Sequence, residues 1–400
     1  MSRWVVHIGA GRWQLAAITA TKKRGYLTLA VDGNDKAEGL ELADEALVVD
    51  ITDEQKTLRA VIKFFEKQGI SPKGVLCIAS EAGQLSAALI RDHYDLPGLN
   101  FEMAKKLTDK SLQRSFWSSE PFSPEFVIID LEKRFEIPVD LQFEPVIVKP
   151  VDSAGSRGIT VIKEPNAQAL ENAIKFATDY SKSKKAIVER YIDGQEYTLE
   201  SIVVDGQTYP LVITEKHKVH GTNGTVANKL ASANLSDVMS KRIVDTVSKG
   251  HKLLEYRNGV SHAEVIVDEC EQVWIVEIAG RGAGFAVSEK YIEFCTGYPY
   301  LKTSIDFSLS DNIDAPTKLE VLPSCIRFFE SIEGTLEEFY IPSIENVESA
   351  SLFEKGTVMK QATTDADRMG YAMVKGKTQL KYEELLRKVE ESVKVKISVE

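Results

Sequence analysis

Cysteine is scarce. Four residues, Cys77, Cys270, Cys295 and Cys325, are scattered through 400 and form no C-x-x-C pair. This excludes a disulfide scaffold and predicts reduced thiols in a cytoplasmic protein. No apolar run reaches the roughly 18 residues that cross a bilayer, so no membrane span is expected. The opening "MSRWVVHIGAG" runs at once into a strand and a glycine turn, and no signal peptide is expected. Positive charge is in deficit, with 49 Lys and Arg against 60 Asp and Glu and a net charge of −11. That balance argues against a nucleic-acid or anionic-membrane partner, while leaving room for a local basic pocket. Two phosphate motifs are also missing. "VKGKT" around Gly376 lacks the first glycine of a Walker loop, and "GAGRWQ" has Gln14 where a dinucleotide fingerprint needs its third glycine. Gly9 and Gly11 therefore predict a tight strand-to-helix turn rather than an NAD site. No internal repeat or low-complexity tract occurs, and no Ser/His/Asp or Cys/His constellation is apparent. His7, His93, His220 and His251 have no ligand spacing.

What is present is a long, evenly mixed chain. Four hundred residues exceed one ordinary core, which predicts two or three domains. From "WVVHI" to "AGQLSAALIRDHY", apolar strands alternate with amphipathic helices over short links, predicting a parallel α/β sheet in residues 1–107. A linker with Pro121, Pro124 and Pro138 follows. From Val146 the pattern changes to hairpins: "AIVERYI", "YTLESIVVDG", "TYPLVITEK", "GVSHAEVIVD" and "QVWIVEIAG" predict mostly antiparallel strands. "NAQALENAIKFATDYSKS" and "SDVMSKRIVDTVSKGHKLLEY" predict the helices that cover them. Beyond Asp311 come short strands and a polar C-terminal helix from about Tyr382. The expected fold class is mixed α/β and α+β.

Several stretches could carry chemistry. In "KPVDSAGSRGITVI", Gly155 and Gly158 free the backbone to turn amides toward an anion, Ser153 and Ser156 add hydroxyls, and Lys149 and Arg157 add charge. The same residues would also suit a plain surface hairpin. "TDKSLQR" puts Lys110 at a predicted helix start, where dipole and ammonium together favour an anion. Glu189 and Glu196 flank the turn in "VERYIDGQEYTLE" and read either as nucleotide contacts or as ordinary turn charges. Glu264 in "SHAEVIVD" and Glu277 in "WIVEIAGR" interrupt two apolar strands joined by a short turn, so a hairpin would set them side by side. Paired buried acids repel unless a cation lies between them, and hard oxygen ligands suit Mg²⁺ together with substrate phosphates. Arg281, just beyond, could clamp a phosphate or carboxylate. Arg327 interrupts "SCIRFF" and reads equally as a substrate clamp or a structural ion pair. Lys216 and His217 lie in a polar, glycine-containing stretch that would suit a substrate loop. His262 reads as a satisfied strand histidine.

The ordered set "DK…VIVKP…SAGSRG…VERYIDGQE…HAEV…VEIAGR" resembles the ATP-grasp superfamily, in its carboxylate–amine (amino-acid or peptide) ligase branch. The resemblance covers nearly the whole chain. It implies a pre-grasp domain at 1–107, a grasp domain at 108–310 with lobes at about 108–185 and 186–310, and a small β-rich domain with a terminal helix at 311–400. By this resemblance Lys110 and Lys149 hold ATP phosphates under a flap bearing Ser153, Gly155, Ser156 and Gly158. Glu189, Arg190, Tyr191 and Ile192 meet adenine, and Glu196 meets ribose. Glu264 and Glu277 hold Mg²⁺, or Mn²⁺ in its place. Arg281 and Lys149 are the implied catalytic residues, and Arg281, Arg327 and Lys216 the substrate contacts. One position departs from the family pattern: many members have Asn as a further metal ligand where this chain has Ala279. The implied reaction makes an acyl phosphate and then an amide, with small-molecule partners and, by analogy, a homodimer. Bicarbonate- or formate-using relatives and a nucleotide-binding scaffold without turnover are the alternatives.

Overall fold

The structure is a computed structural model that describes residues 3–131, 145–218, 227–362, 364 and 367–398. Pro138 and His220 lie outside the described residues.

The chain begins with β1 (Trp4–Ile8), α1 (Leu15–Lys23), β2 (Leu27–Asp32), α2 (Glu38–Leu42), β3 (Glu45–Val48), α3 (Glu54–Gln68), β4 (Gly74–Leu76) and α4 (Gln84–Tyr94). Its four strands form a parallel sheet in the order β3-β2-β1-β4. Both faces are covered, which is why the strands read as unbroken apolar runs. Val6, Ile8 and Leu29 pack against Val61 and Phe65 of α3 and Ile90 of α4, while Val5 and Leu76 face Ala17 of α1. Next come α5 (Phe101–Thr108) and α6 (Lys110–Trp117), capped by the side chains of Asn100 and Asp109. Asp109 breaks the helical run and makes Lys110 the first residue of α6.

A second, antiparallel sheet contains β5 (Phe126–Asp130), β6 (Val146–Pro150), β7 (Thr160–Ile162) and β8 (Lys185–Arg190), in the order β5-β8-β6-β7. Helix α7 (Ala167–Asp179) lays Leu170, Ala173 and Ile174 on Val146, Val148 and Val188.

The third sheet is the largest. It gathers β9 (Gln195–Val204), β10 (Gln207–Lys218), β11 (Ala227–Ser232), β12 (Gly259–Val267), β13 (Val273–Ala279), β14 (Ser324–Glu330), β16 (Val347–Ser351) and β18 (Arg368–Lys375), in the order β13-β12-β9-β10-β11-β14-β18-β16. Helix α8 (Asp237–Leu254) covers one face through Ile243, Val247 and Leu254. Helices α9 (Ile292–Thr296) and α10 (Tyr300–Leu309) follow β13, and α10 returns Ile305 and Leu309 to the first sheet. The remaining strands, β15 (Gly334–Tyr340), β17 (Val358–Met359) and β19 (Lys394–Ser398), form a small sheet beside α11 (Gln379–Ser392).

Two C-terminal expectations are corrected. The last helix starts three residues before Tyr382, because the Thr378 hydroxyl accepts the Lys381 amide and caps it there. It is not the last element: β19 turns back to pair antiparallel with β15. Alternating Lys and Val on a short, exposed edge strand left little periodic signal. Among the described residues, no helix is long and apolar enough to cross a membrane.

The joint between the first sheet and α10 is tight. A Cβ at Gly74 would sit 2.5 Å from the Ser308 carbonyl oxygen. G74A is expected to force α10 off β4 and to cost about 1–3 kcal/mol in chemical denaturation. Unchanged stability would show that the joint yields without cost.

Candidate active site

The flap lies between β6 and β7. Gly155, Ser156 and Gly158 all take positive φ, which lets nine residues turn back sharply. Gly158 has a second requirement, since a Cβ there would lie 2.8 Å from Tyr180 Cβ. Arg157 is exposed and donates to the Ala154 carbonyl within the flap itself.

Beneath the flap, one buried carboxylate holds two cations. Glu189 on β8 accepts from Lys149 Nζ at 2.7 Å and from Arg114 Nε at 2.7 Å. Burial alone would raise its pKa, but the two cations outweigh this and pull it down to about 2. Glu189 is therefore committed to placing Lys149, rather than open to a base. Arg114 also donates to the Val276 carbonyl at 2.9 Å, tying α6 to β13. It was not anticipated, although "TDKSLQR" sets it four residues from Lys110, on the same face of α6.

Glu264 and Glu277 are direct cross-strand partners on β12 and β13, as the hairpin spacing predicts. Each is flanked by cations. Lys110 Nζ lies 2.6 Å from Glu277 and donates to the Ser153 carbonyl at 3.0 Å, so one ammonium joins flap and carboxylate. Burial would raise the Glu277 pKa, yet Lys110 holds it below the usual carboxylate value. Glu264 meets Lys216 Nζ at 3.2 Å and His262 Nε2 at 3.4 Å. Those groups outweigh burial and hold Glu264 well below its ordinary pKa. His262 also meets the buried Glu200 at 2.5 Å, and the two acids raise its pKa to about 10 against the effect of burial. Both ring nitrogens thus carry protons at neutral pH. Ala279 stands directly opposite His262.

Arg281 follows β13 and pairs through Nε with Glu81, just beyond β4, at 2.5 Å. This ion pair joins the first sheet to the third. Glu81 was missed because nothing local distinguishes it in "ASEAGQ".

Two cavities meet at Glu264 and Lys216, which line both. The first, about 160 Å³, has Ile147, Ile159, Val161 and Ile266 as apolar walls. Lys149, Ser156, Arg190, Tyr191 and Glu196 supply its polar edge, and Ile192 lines it beside them. Glu196 meets Lys216 at 3.5 Å and also pairs with Lys218. The second, about 210 Å³, is bounded by Gly155, Glu81, Glu264, Glu277 and Arg281, with Phe285, Phe328 and Arg368 opposite. Arg327 reaches neither cavity. It shares a strand face with Cys325 and Phe329, turned toward α11, and meets Glu330 at 3.5 Å and Glu390 at 3.4 Å. Of its two readings, substrate clamp and structural ion pair, these contacts favour the ion pair. Strand alternation accounts for this, since Phe328 and not Arg327 lines the cavity. Arg368, which lines it together with Arg281, stacks 3.6 Å from the Phe328 ring centroid.

Among the described residues, no group of three or more His, Cys, Asp and Glu forms a self-sufficient metal cage. Two facing carboxylates fit a Mg²⁺ ion that draws its other ligands from substrate phosphates and water.

Residues 142–289 match the model of an ATP-grasp domain. Alanine–anticapsin ligase of Bacillus subtilis is 27% identical over 163 residues, 35% of this chain and 34% of that protein. Phosphoribosylamine–glycine ligase of Pyrococcus horikoshii is 30% identical over 190 residues, 44% of this chain and 41% of that protein. These matches span well under half of either relative. The crystal structure of an L-amino acid ligase from Bacillus licheniformis covers 100% of this chain and 99% of its own, with a TM-score of 0.81 and 17% identity, a likeness of fold.

The buried triad makes a prediction for acid stability. The folded-state pKa of Glu189 is depressed, so its contribution is present above pH 4.5 and is lost as pH falls through about 2. E189Q leaves two buried cations uncompensated and is expected to lose about 3–5 kcal/mol at pH 7. In denaturation measured from pH 7 to pH 2, the gap to wild type should close below pH 4.5. A constant gap would refute the assignment.

Proposed function

We propose, for a chain that belongs to the ATP-grasp superfamily, the activity of an ATP-dependent ligase that joins a carboxylate to an amine. The observation that carries this reading is the meeting of the two cavities at Glu264, whose cross-strand partner Glu277 lines the second, with Lys110, Lys149 and Arg281 around the pair. The apolar walls of the first cavity suit adenine, with the backbone from Arg190 to Ile192 along its edge and Glu196 placed for the ribose. Lys149, fixed by Glu189, and Lys110, at the start of α6, suit the phosphates under the flap. The second cavity then takes the reacting acid and amine.

In this reading the substrate carboxylate attacks the γ-phosphorus in line, and the β–γ bridging oxygen leaves with ADP. The amine next adds to the acyl phosphate carbonyl, the phosphate oxygen departs and a proton is lost from nitrogen. Bound at Glu264 and Glu277, Mg²⁺ would neutralise charge on the transferring phosphoryl group. Arg281 is placed to stabilise the phosphoryl oxygens or the acyl phosphate, and Glu81 fixes its orientation. The flap excludes water that would hydrolyse the acyl phosphate. Common amino acids are the proposed substrate class, the cytoplasm the proposed location and a homodimer the proposed assembly. The division at 107 and 310 is proposed as a functional one, because the eight-stranded sheet runs unbroken across the second boundary.

ADP release measured with ATP and Mg²⁺, over amino acids taken singly and in pairs, should rise for one pair and yield a condensed product by mass spectrometry. Stimulation by bicarbonate or formate alone would replace the ligase reading with its carboxylating or formate-using alternative. E277Q is expected to lower kcat by about a hundredfold or more. Unchanged ADP production in that variant would remove the metal assignment.

A further inference from the structure

A third cavity, of about 50 Å³, lies on the far side of Arg281, between β4, α4, the start of β12 and α10. None of the roles assigned above uses it. Its walls include Cys77, Arg91, Tyr256, Arg281, Tyr300 and Ser304. Two of these side chains carry hydrogen-bonding capacity that the protein leaves unsatisfied.

Arg91 on α4 is 6% exposed. Its Nε and Nη2 donate to the Val75 carbonyl at 3.2 and 2.9 Å, and Nη1 donates to the Leu99 carbonyl at 3.4 Å. Neutral carbonyls are its only hydrogen-bond partners among the described residues, and no carboxylate pairs with it. Burial pushes its pKa down, although a guanidinium remains protonated. A buried cation without a counter-charge is costly, and among the described residues only three of its five N–H groups find an acceptor. Tyr300 on α10 is 1% exposed, and its buried hydroxyl has no hydrogen-bond partner among the described residues. Gly282 keeps the space before that hydroxyl open, since a Cβ there would lie 2.7 Å from the oxygen. One water needs roughly 10–15 Å³ of such space, so the cavity admits a group of several heavy atoms.

We propose that this cavity is a binding site for a small oxyanion, a carboxylate or an inorganic phosphate, held by the Arg91 guanidinium and the Tyr300 hydroxyl. An oxyanion supplies the missing counter-charge and acceptor together. Arg281 lines both this cavity and the reaction chamber, so an anion here would sit behind the residue placed at the reacting centre. The proposal stands on the cavity and not on the ligase reading, and its test reads binding rather than turnover.

The test is calorimetric titration of the full chain with acetate and, separately, with inorganic phosphate, on wild type, R91K and Y300F. Saturable binding is expected for one of them in wild type, weakened about tenfold in each variant. Preference for acetate identifies a carboxylate ligand, and preference for phosphate identifies a phosphate-type ligand. Y300F removes a single oxygen and keeps the ring, so the result does not hinge on whether R91K folds. No saturable binding, or equal affinity in all three proteins, would overturn the proposal.

Discussion

Two carboxylates set directly opposite each other on adjacent strands repel, and the arrangement around them answers that repulsion. Glu264 and Glu277 stay ionised because four cations surround them: Lys110, Lys216, His262 and the Arg281 guanidinium. Each cation comes from a different element, so the pair draws α6, β10, β12 and the segment after β13 onto one point. A divalent ion with a bound polyphosphate would enter a site whose charges are already arranged for it. Such preorganisation is where catalytic electrostatics originates, because little reorganisation is left for the moment of reaction.

The same logic operates one layer deeper at Glu189. That carboxylate touches Lys149 from the flap strand and Arg114 from α6, and Arg114 continues to β13. A buried ion triad of this kind is weak evidence for stability and stronger evidence for a defined geometry. Here it sets the end of β6 relative to the third sheet. At its outer side, the flap-bearing sheet is tied to the first by Lys182, which meets Glu54 at 2.7 Å and donates to the Thr52 carbonyl at 2.6 Å. That exposed tie contributes little, as surface pairs do. The inner attachment is a buried ion triad and the outer one an exposed pair.

Legibility followed sequence distance. The strand and helix periods, the start of α6 at Lys110, the flap hairpin and the facing of Glu264 and Glu277 were readable, since each depends on residues fewer than twenty apart. Arg327 shows where reading stopped. Its strand was legible and its face was not, because an arginine among apolar residues looks the same whether it turns inward or outward. Glu189 shows a subtler limit: the sequence singled it out, but its partner Arg114 lies 75 residues earlier.

What the sequence determined alone was therefore local chemistry: strand and helix periods, caps, glycine turns and two acids flanking a short hairpin turn. These follow from bonds and dihedrals within a few residues. Only the tertiary structure decided the partners. It placed Glu81 on Arg281 across 200 residues, put Arg368 rather than Arg327 against the second cavity, and left Arg91 buried without a carboxylate partner among the described residues. The physical reason is that charge pairing acts through space, so a side chain's role depends on what the fold brings within about 4 Å of it.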